Sequence, residues 1–193
     1  MQTRDLKAME KLKEKYNKEA IPAMMQKFGY KNKMAVPAIK KVVLNSSFGK
    51  AIVGKTGSER EKTQNFILQD LTLIAGQKPN LVKSKKSIAG FKLREGLEIA
   101  AMVTLRKSRM WDFLERLIYL SLPRSRDFKG ILAKSIDKNG NLNIGFKEHI
   151  SFPEIFTEKE KTIFGLEITV AINAKSKEEG LELYKLLGFP IKE

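Results

Sequence analysis

Apolar residues along this chain switch repeatedly between the spacing of a helix and that of a strand, and this alternation constrains the fold most. From about Asp5 to Phe28, the residues Leu6, Met9, Leu12, Tyr16, Ala20, Met24 and Phe28 recur at helical spacing, with Lys and Glu on the other face. The pattern predicts an amphipathic helix that Pro22 should bend or restart. Ile39 to Phe48 then reads as a strand introduced by Pro37. A second helix is expected from Ser58, because Ser58 and Glu61 stand at capping-box spacing. Its apolar positions Ile67, Leu71 and Ile74 share one face, and Gly76 supplies a stop.

Asn80 to Arg94 reads as a strand, an exposed basic turn around Gly90 and a short return, followed by a strand from Glu98 to Arg106. Ser108 is expected to cap a third helix that carries Trp111, Leu114, Leu117 and Ile118 and ends at Pro123. A loop then runs to Gly130. Asn139-Gly140, between two short strand-like runs, is the strongest hairpin signal in the chain. A final strand from Gly165 to Ala174 precedes a helix opened by Ser176 and Glu179 and closed by Gly188 and Pro190. The fold class expected is α+β: a curved, mostly antiparallel sheet with helices packed on one face. Repeats, low-complexity stretches and linkers are not evident. Residues 1–193 therefore read as one domain, with 1–10 as an N-terminal extension.

Charge narrows the function. Lys and Arg number 37 against 22 Asp and Glu, a net charge of +15. Such an excess attracts polyanions, nucleic acid first and an anionic membrane surface second. The absence of cysteine excludes disulfides, thiolate metal sites and a cysteine nucleophile. No apolar run approaches the length needed to span a bilayer, and the N-terminal residues are charged rather than signal-like, so the chain reads as cytosolic. The balanced Lys and Glu of the first helix argue for packing rather than membrane binding.

Gly49 to Thr56 (GKAIVGKT) matches the phosphate-binding P-loop pattern between an expected strand and an expected helix. In that reading Lys55 would reach terminal phosphates and Thr56 would ligate magnesium. No later strand offers an Asp for the metal, and no parallel strand-helix units follow. A basic loop that touches RNA phosphates is therefore preferred over a nucleotide site. The better evidence is the cluster Lys78, Lys83, Lys85, Lys86, Lys92 and Arg94, with Arg106, Lys107 and Arg109 after the next strand. Charges on an exposed turn reach phosphates without first being buried, and Phe91 among them can stack on a base or sugar. His149, the single histidine, has no partner for a metal site or triad and reads as a surface or sheet residue. Glu98, Asp112 and Glu115 suggest salt links rather than acid-base pairs. Trp111 and Phe113 read as core.

Taken together, LTLIAGQKP (71–79), KSIAGFKLREG (86–96), MVTLR (102–106), SLPRSRDFKG (121–130), GFKEHISFPEI (145–155) and LLGFP (186–190) resemble one family. It is the bacterial large-subunit ribosomal protein five family, whose members bind 5S ribosomal RNA, and the likeness runs from about Leu12 to Pro190. The resemblance implies a fold broadly similar to RNA-recognition domains, no catalysis and no cofactor. It implies rRNA contacts at Asn45, Gln77 and Thr104, with Lys78 and Arg106 beside them. It implies that the loop carrying Lys83, Lys85, Lys86, Ser87, Phe91, Lys92 and Arg94 reaches the peptidyl-site tRNA. The region from Arg124 to Ile155 would face the small subunit and help bridge to a protein of its head. The further partners implied are 23S rRNA and neighbouring large-subunit proteins, with no membrane. The chain departs from the family where Lys50 and Lys55 replace an acidic loop after the first strand, and where Met1 to Glu10 extend past the usual start.

Overall fold

Strand β1 (Ile39–Ser47) buries Val42, Leu44 and Ser46, while Val43 and Asn45 between them stay partly exposed. This period of two gives the strand one core face and one open face. In the computed structural model, which describes residues 12–126, 128–155 and 163–192, β1 is the middle strand of a five-stranded sheet. The order is β2 (Asn80–Lys83), β3 (Glu98–Leu105), β1, β6 (Leu166–Ile172), β5 (Leu142–Phe146), and each neighbouring pair is antiparallel. Val42 faces Leu105 on one side and Val170 on the other, and Leu44 faces Val103 and Ile168. These apolar rows form the floor of the core.

The helices cover that floor. They are α1 (Leu12–Lys15), α2 (Ile21–Phe28), α3 (Gly49–Ile52), α4 (Gly57–Ala75), α5 (Lys107–Arg116), α6 (Leu122–Arg124) and α7 (Lys177–Leu187). Leu12, Tyr16 and Met24 from the first helical run, Ile67, Leu71 and Ile74 from α4, Phe113 and Leu114 from α5, and Leu183 and Tyr184 from α7 join one buried cluster with the strands. The expected antiparallel sheet with helices on one face is the observed one. Of the first helix, residues 5–11 lie outside the described residues, as does the expected extension, 1–10.

The two prolines that fall within helical runs are met by the same local device. The π-helical turn Tyr16–Ala20 joins α1 to α2, and Ile21 donates to Tyr16 O. A second π-helical turn, Leu117–Ser121, joins α5 to α6, and Leu122 donates to Leu117 O. In each case the residue preceding a proline reaches back five residues instead of four. A proline ring would otherwise press on the carbonyl four residues back, and the wider turn relieves that contact. Pro22 thus neither breaks nor restarts the helix, and the third helix continues one residue past Pro123.

Helix α4 starts earlier than expected. Its capping box is Thr56 with Glu59, not Ser58 with Glu61, because Thr56 is extended (φ −66°, ψ 163°) and already closes both reciprocal bonds. Hydrogen bonds from the Thr56 backbone and hydroxyl hold the Glu59 carboxyl below its ordinary range. Ser108 does not cap α5. Arg106 is the extended residue before it, and Lys107 turns the corner with φ +53°.

The Asn139-Gly140 turn forms, with Asp137 Oδ1 accepting from the amides of Asn139 (2.9 Å) and Asn141 (2.7 Å). Its hairpin, however, is a single bridge between Ile136 and Leu142. Upstream, β4 (Ile131–Leu132) pairs instead with β7 (Ile191–Lys192), a parallel pair the sequence pattern did not suggest. The turn is pinned against α7: a methyl group on Gly180 would stand 2.7 Å from Gly140 Cα, backbone against backbone. Gly140 itself adopts φ +80°. Gly180→Ala should therefore destabilise the protein by roughly 1–3 kcal/mol through overpacking. Urea unfolding should show a lower midpoint at unchanged m-value, and an unchanged midpoint would mean that the turn moves away freely.

Candidate nucleic-acid interface

The sheet face turned away from the helices is a hydrogen-bonding platform. Strand register lays its residues in rows. One row runs Asn80, Met102, Asn45, Glu167, Gly145 across β2, β3, β1, β6 and β5. The next runs Thr104, Val43, Thr169, Asn143. Asn45 and Thr104 are thus diagonal neighbours on adjacent strands, roughly 7–8 Å apart along the backbone. Thr169 Oγ1 donates to Asn143 Oδ1 at 2.7 Å. Amide and hydroxyl groups on such a face can bond with base edges and sugars, whereas cations are better suited to phosphates.

The cations stand at the margins. Gln77 lies between the αL cap Gly76 and β2, and its Oε1 accepts from Arg109 Nη1 at 3.2 Å. Arg109 is in the first turn of α5, so Gln77, Lys78, Thr104 and Arg106 gather at one end of β2 and β3. Lys78 and Arg106 are exposed there. The structure therefore brings Gln77, Lys78, Thr104 and Arg106 to one end of β2 and β3, with Asn45 further along the open face and diagonal to Thr104. It also adds Asn80, Asn143, Glu167 and Thr169, which single-sequence reading missed. Period-two spacing from Asn45 finds only its own strand-mates; the others need the register.

The second group of cations leaves from the opposite end of β2, roughly 10 Å away for four strand residues. The β2–β3 register shifts between Val82 and Lys83, where Ile99 is the extra residue on β3. Lys83, Lys85, Lys86, Ser87, Phe91, Lys92 and Arg94 line this loop, with Phe91 68% exposed. The loop satisfies much of its own backbone. Ile88 and Leu93 exchange both backbone bonds at 3.1 Å, Ser84 N donates to Leu97 O at 2.8 Å, and Gly96 N donates to Ser84 O at 3.0 Å. Ser87 Oγ accepts from Glu95 N at 2.9 Å, so this hydroxyl shapes the loop.

The P-loop pattern does not fold as a phosphate cradle. Gly49–Ile52 is a helical turn in which Ala51 and Ile52 donate to Phe48 O and Val53 donates to Gly49 O. Lys55 N donates to Ile52 O. These amides bond within the chain, where a cradle needs them turned toward phosphate oxygens. Lys55 Nζ donates to Thr63 Oγ1 at 3.1 Å, and the Thr56 hydroxyl donates to Glu59. β1 before the loop has only antiparallel neighbours. The segment instead walls a cleft whose lining includes Gly54, Arg60, Lys92 and Arg94, so the two basic loops adjoin.

Two family models match the chain in succession: ribosomal protein L5 over residues 32–94, and the C-terminus of the same ribosomal family over residues 98–191. The chain is 49% identical over 184 residues to the large ribosomal subunit protein uL5 of Desulforapulum autotrophicum. It is 50% identical to that of Francisella tularensis subsp. novicida and 48% to that of Geotalea uraniireducens. Each alignment covers 95% of this chain and 99% of the relative. The chain belongs to the ribosomal protein L5 family. That membership places it among ribosomal proteins rather than enzymes. The two matched L5 segments share one sheet, because β3 from the second lies between β2 and β1 from the first.

His149 is not a surface residue in this L5-family chain; it is fully buried. Its ring stacks on Phe164 at 3.8 Å between centroids, and Nδ1 accepts from Phe164 N at 3.4 Å. An accepting Nδ1 places the proton of the neutral ring on Nε2, which faces Asp70 Oδ2 at 3.4 Å. The pair ties α4 to the segment after β5. Arg116 adds a second tie, donating to Ile74 O at 3.1 Å and pairing with Glu154. Burial lowers the His149 pKa below 6.5, with smaller opposing effects from Phe164 and Glu148, and burial raises that of Asp70. A depressed histidine contributes stability that is present above its unfolded value and lost as pH falls through the folded value. Asp70 acts in the opposite sense, from its own unfolded value near 3.8 upward. Thermal unfolding of the wild type should drop as pH falls from about 7.5 to about 5.5, and His149→Gln should flatten that dependence while lowering the midpoint at neutral pH. Equal slopes in both proteins would assign the acid sensitivity elsewhere.

Proposed function

We propose that this L5-family protein, a structural component of the large ribosomal subunit, binds 5S rRNA through the open face of its sheet. The observation that carries this reading is the division of chemistry across that face. Asn45, Thr104, Thr169 and Asn143 place amide and hydroxyl groups across it, and Lys78, Arg106 and Arg109 stand at one end. Asn45, Gln77 and Thr104 supply specific hydrogen bonds, and the lysines and arginines supply phosphate affinity. Irregular or looped RNA is the natural target, because the major groove of A-form RNA is too narrow for side chains.

The loop from Lys83 to Arg94 contacts peptidyl-site tRNA in this reading. Its cations and exposed Phe91 suit backbone and base contact, and it leaves from the end of β2 opposite to Gln77 and Lys78. The region from Arg124 to Ile155 faces the small-subunit head. In support, Arg126, Lys147 and other cations of this stretch lie at the surface. Neighbouring 23S rRNA and large-subunit proteins complete the partners, and the whole chain acts as one RNA-binding unit.

A gel shift with 5S rRNA across a salt series, with tRNA and an RNA duplex of equal length as competitors, tests the central claim. Binding that survives both competitors is the expected result; equal, salt-labile binding of all three RNAs would reduce the face to a generic polyanion surface. Asn45→Ala should weaken 5S binding roughly tenfold, as expected for a lost hydrogen bond of about 1.5 kcal/mol, with a nearly unchanged salt slope. Neutralising Lys85 and Lys86 together should spare isolated 5S binding and weaken tRNA contact measured on assembled ribosomes. Loss of isolated 5S binding instead would sink the division between face and loop.

A further inference from the structure

A carboxylate, Glu167, lies on the open face of the sheet. Glu167 stands in mid-sheet, flanked by Asn45 on β1 and Gly145 on β5, neither of which is a cation. None of the ion pairs among the described residues involves Glu167. In a protein of net charge +15, an exposed carboxylate in the middle of a surface that meets RNA would repel phosphates. It favours instead the parts of a nucleotide that donate hydrogen bonds.

The surface beside Glu167 has room for such a group. A depression of about 400 Å³ is lined by Asn45, Ser47, Asn143, Gly145, Gly165 and Glu167, among others. It stays open because of Gly145, where an added Cβ would meet nothing within 4 Å and a side chain would occupy the space. The donor next to the carboxylate is oriented by the fold. Thr169 donates its hydroxyl proton to Asn143 Oδ1 (2.7 Å), which commits that oxygen and leaves the Asn143 amide N–H groups as its donors to a ligand. Asn143 and Glu167 are diagonal neighbours on β5 and β6, so their side chains can address one planar ligand.

A two-oxygen acceptor beside an N–H donor matches one base edge. Guanine carries two adjacent donors, N1–H and N2–H, beside the acceptor O6. Adenine, cytosine and uracil each offer a single donor position on that edge. Unpaired bases in RNA loops expose this edge to proteins. We propose that the depression holds an unpaired guanine of 5S rRNA, with Glu167 accepting from N1–H and N2–H and Asn143 donating to O6. The assignment rests on the 5S reading above and makes Glu167 a determinant of its specificity.

The test is analogue interference. 5S rRNA carrying sparse, randomly placed, phosphorothioate-tagged inosine, which lacks N2 and its hydrogens, is partitioned by the full-length protein, and iodine cleavage of bound and free fractions reads the inosine positions. Wild type should show interference at an unpaired guanosine. Glu167→Gln, a surface change that keeps the side-chain size, should bind unmodified 5S rRNA roughly tenfold more weakly and lose that interference. Interference that persists in Glu167→Gln, or none at any unpaired position, would overturn the guanine assignment. Tighter binding by Glu167→Gln would also overturn it, because the carboxylate would then be facing phosphate. If wild type fails to bind 5S rRNA at all, the underlying 5S reading fails, and that outcome is distinct from all the others.

Discussion

The structure depends on β1 being buried on one side only. Val42 and Leu44 sit against Leu105, Val103, Val170 and Ile168 in the floor of the core, while Val43 and Asn45 look away from it. Because side chains alternate strictly along a strand, covering one face with helices leaves the other as a continuous plane. A one-residue slip of β1 would exchange the two sets, burying Asn45 and exposing Leu44. The apolar demand of the core therefore holds the open face in register, and both faces are specified by the same pairing.

Several ties keep that arrangement in one piece. The buried Asp70–His149 contact and Arg116, bonded to Ile74 O and paired with Glu154, fasten α4 and α5 to the segment after β5. The Tyr184 hydroxyl donates to Val170 O at 3.1 Å, fixing α7 to β6. Gly140 and Gly180 allow the 137–141 turn to close on α7. None of these contacts lies on the open face. They support it from behind, so the residues of the platform are free to differ in chemistry without disturbing the packing.

The basic loop shows how little rearrangement separates two surfaces. The β2–β3 register shifts by one residue at Ile99, and the loop beyond closes on itself through backbone bonds between Ile88 and Leu93 and between Ser84 and both Gly96 and Leu97. The segment with the P-loop pattern packs beside it. Its own amides are committed to Phe48, Gly49 and Ile52, which removes the chemistry its letters suggested.

Much of this was legible from residue order. Helical spacing located the longer helices but not α3, alternation located β1, β3 and β6, and the glycines at 76 and 188 closed their helices with φ +63° and +93°. These are local effects, decided by near neighbours along the chain. Charge and the block resemblance pointed to RNA for the same reason: both are properties of the chain before it folds. What lay beyond reach was set by contacts distant in sequence. That His149 is buried against Asp70 and that Ile131–Leu132 pairs with Ile191–Lys192 both depend on partners many residues away. Placing Glu167 beside Asn45 depends on strand register, which here joins residues more than a hundred positions apart and is settled only when the whole core closes.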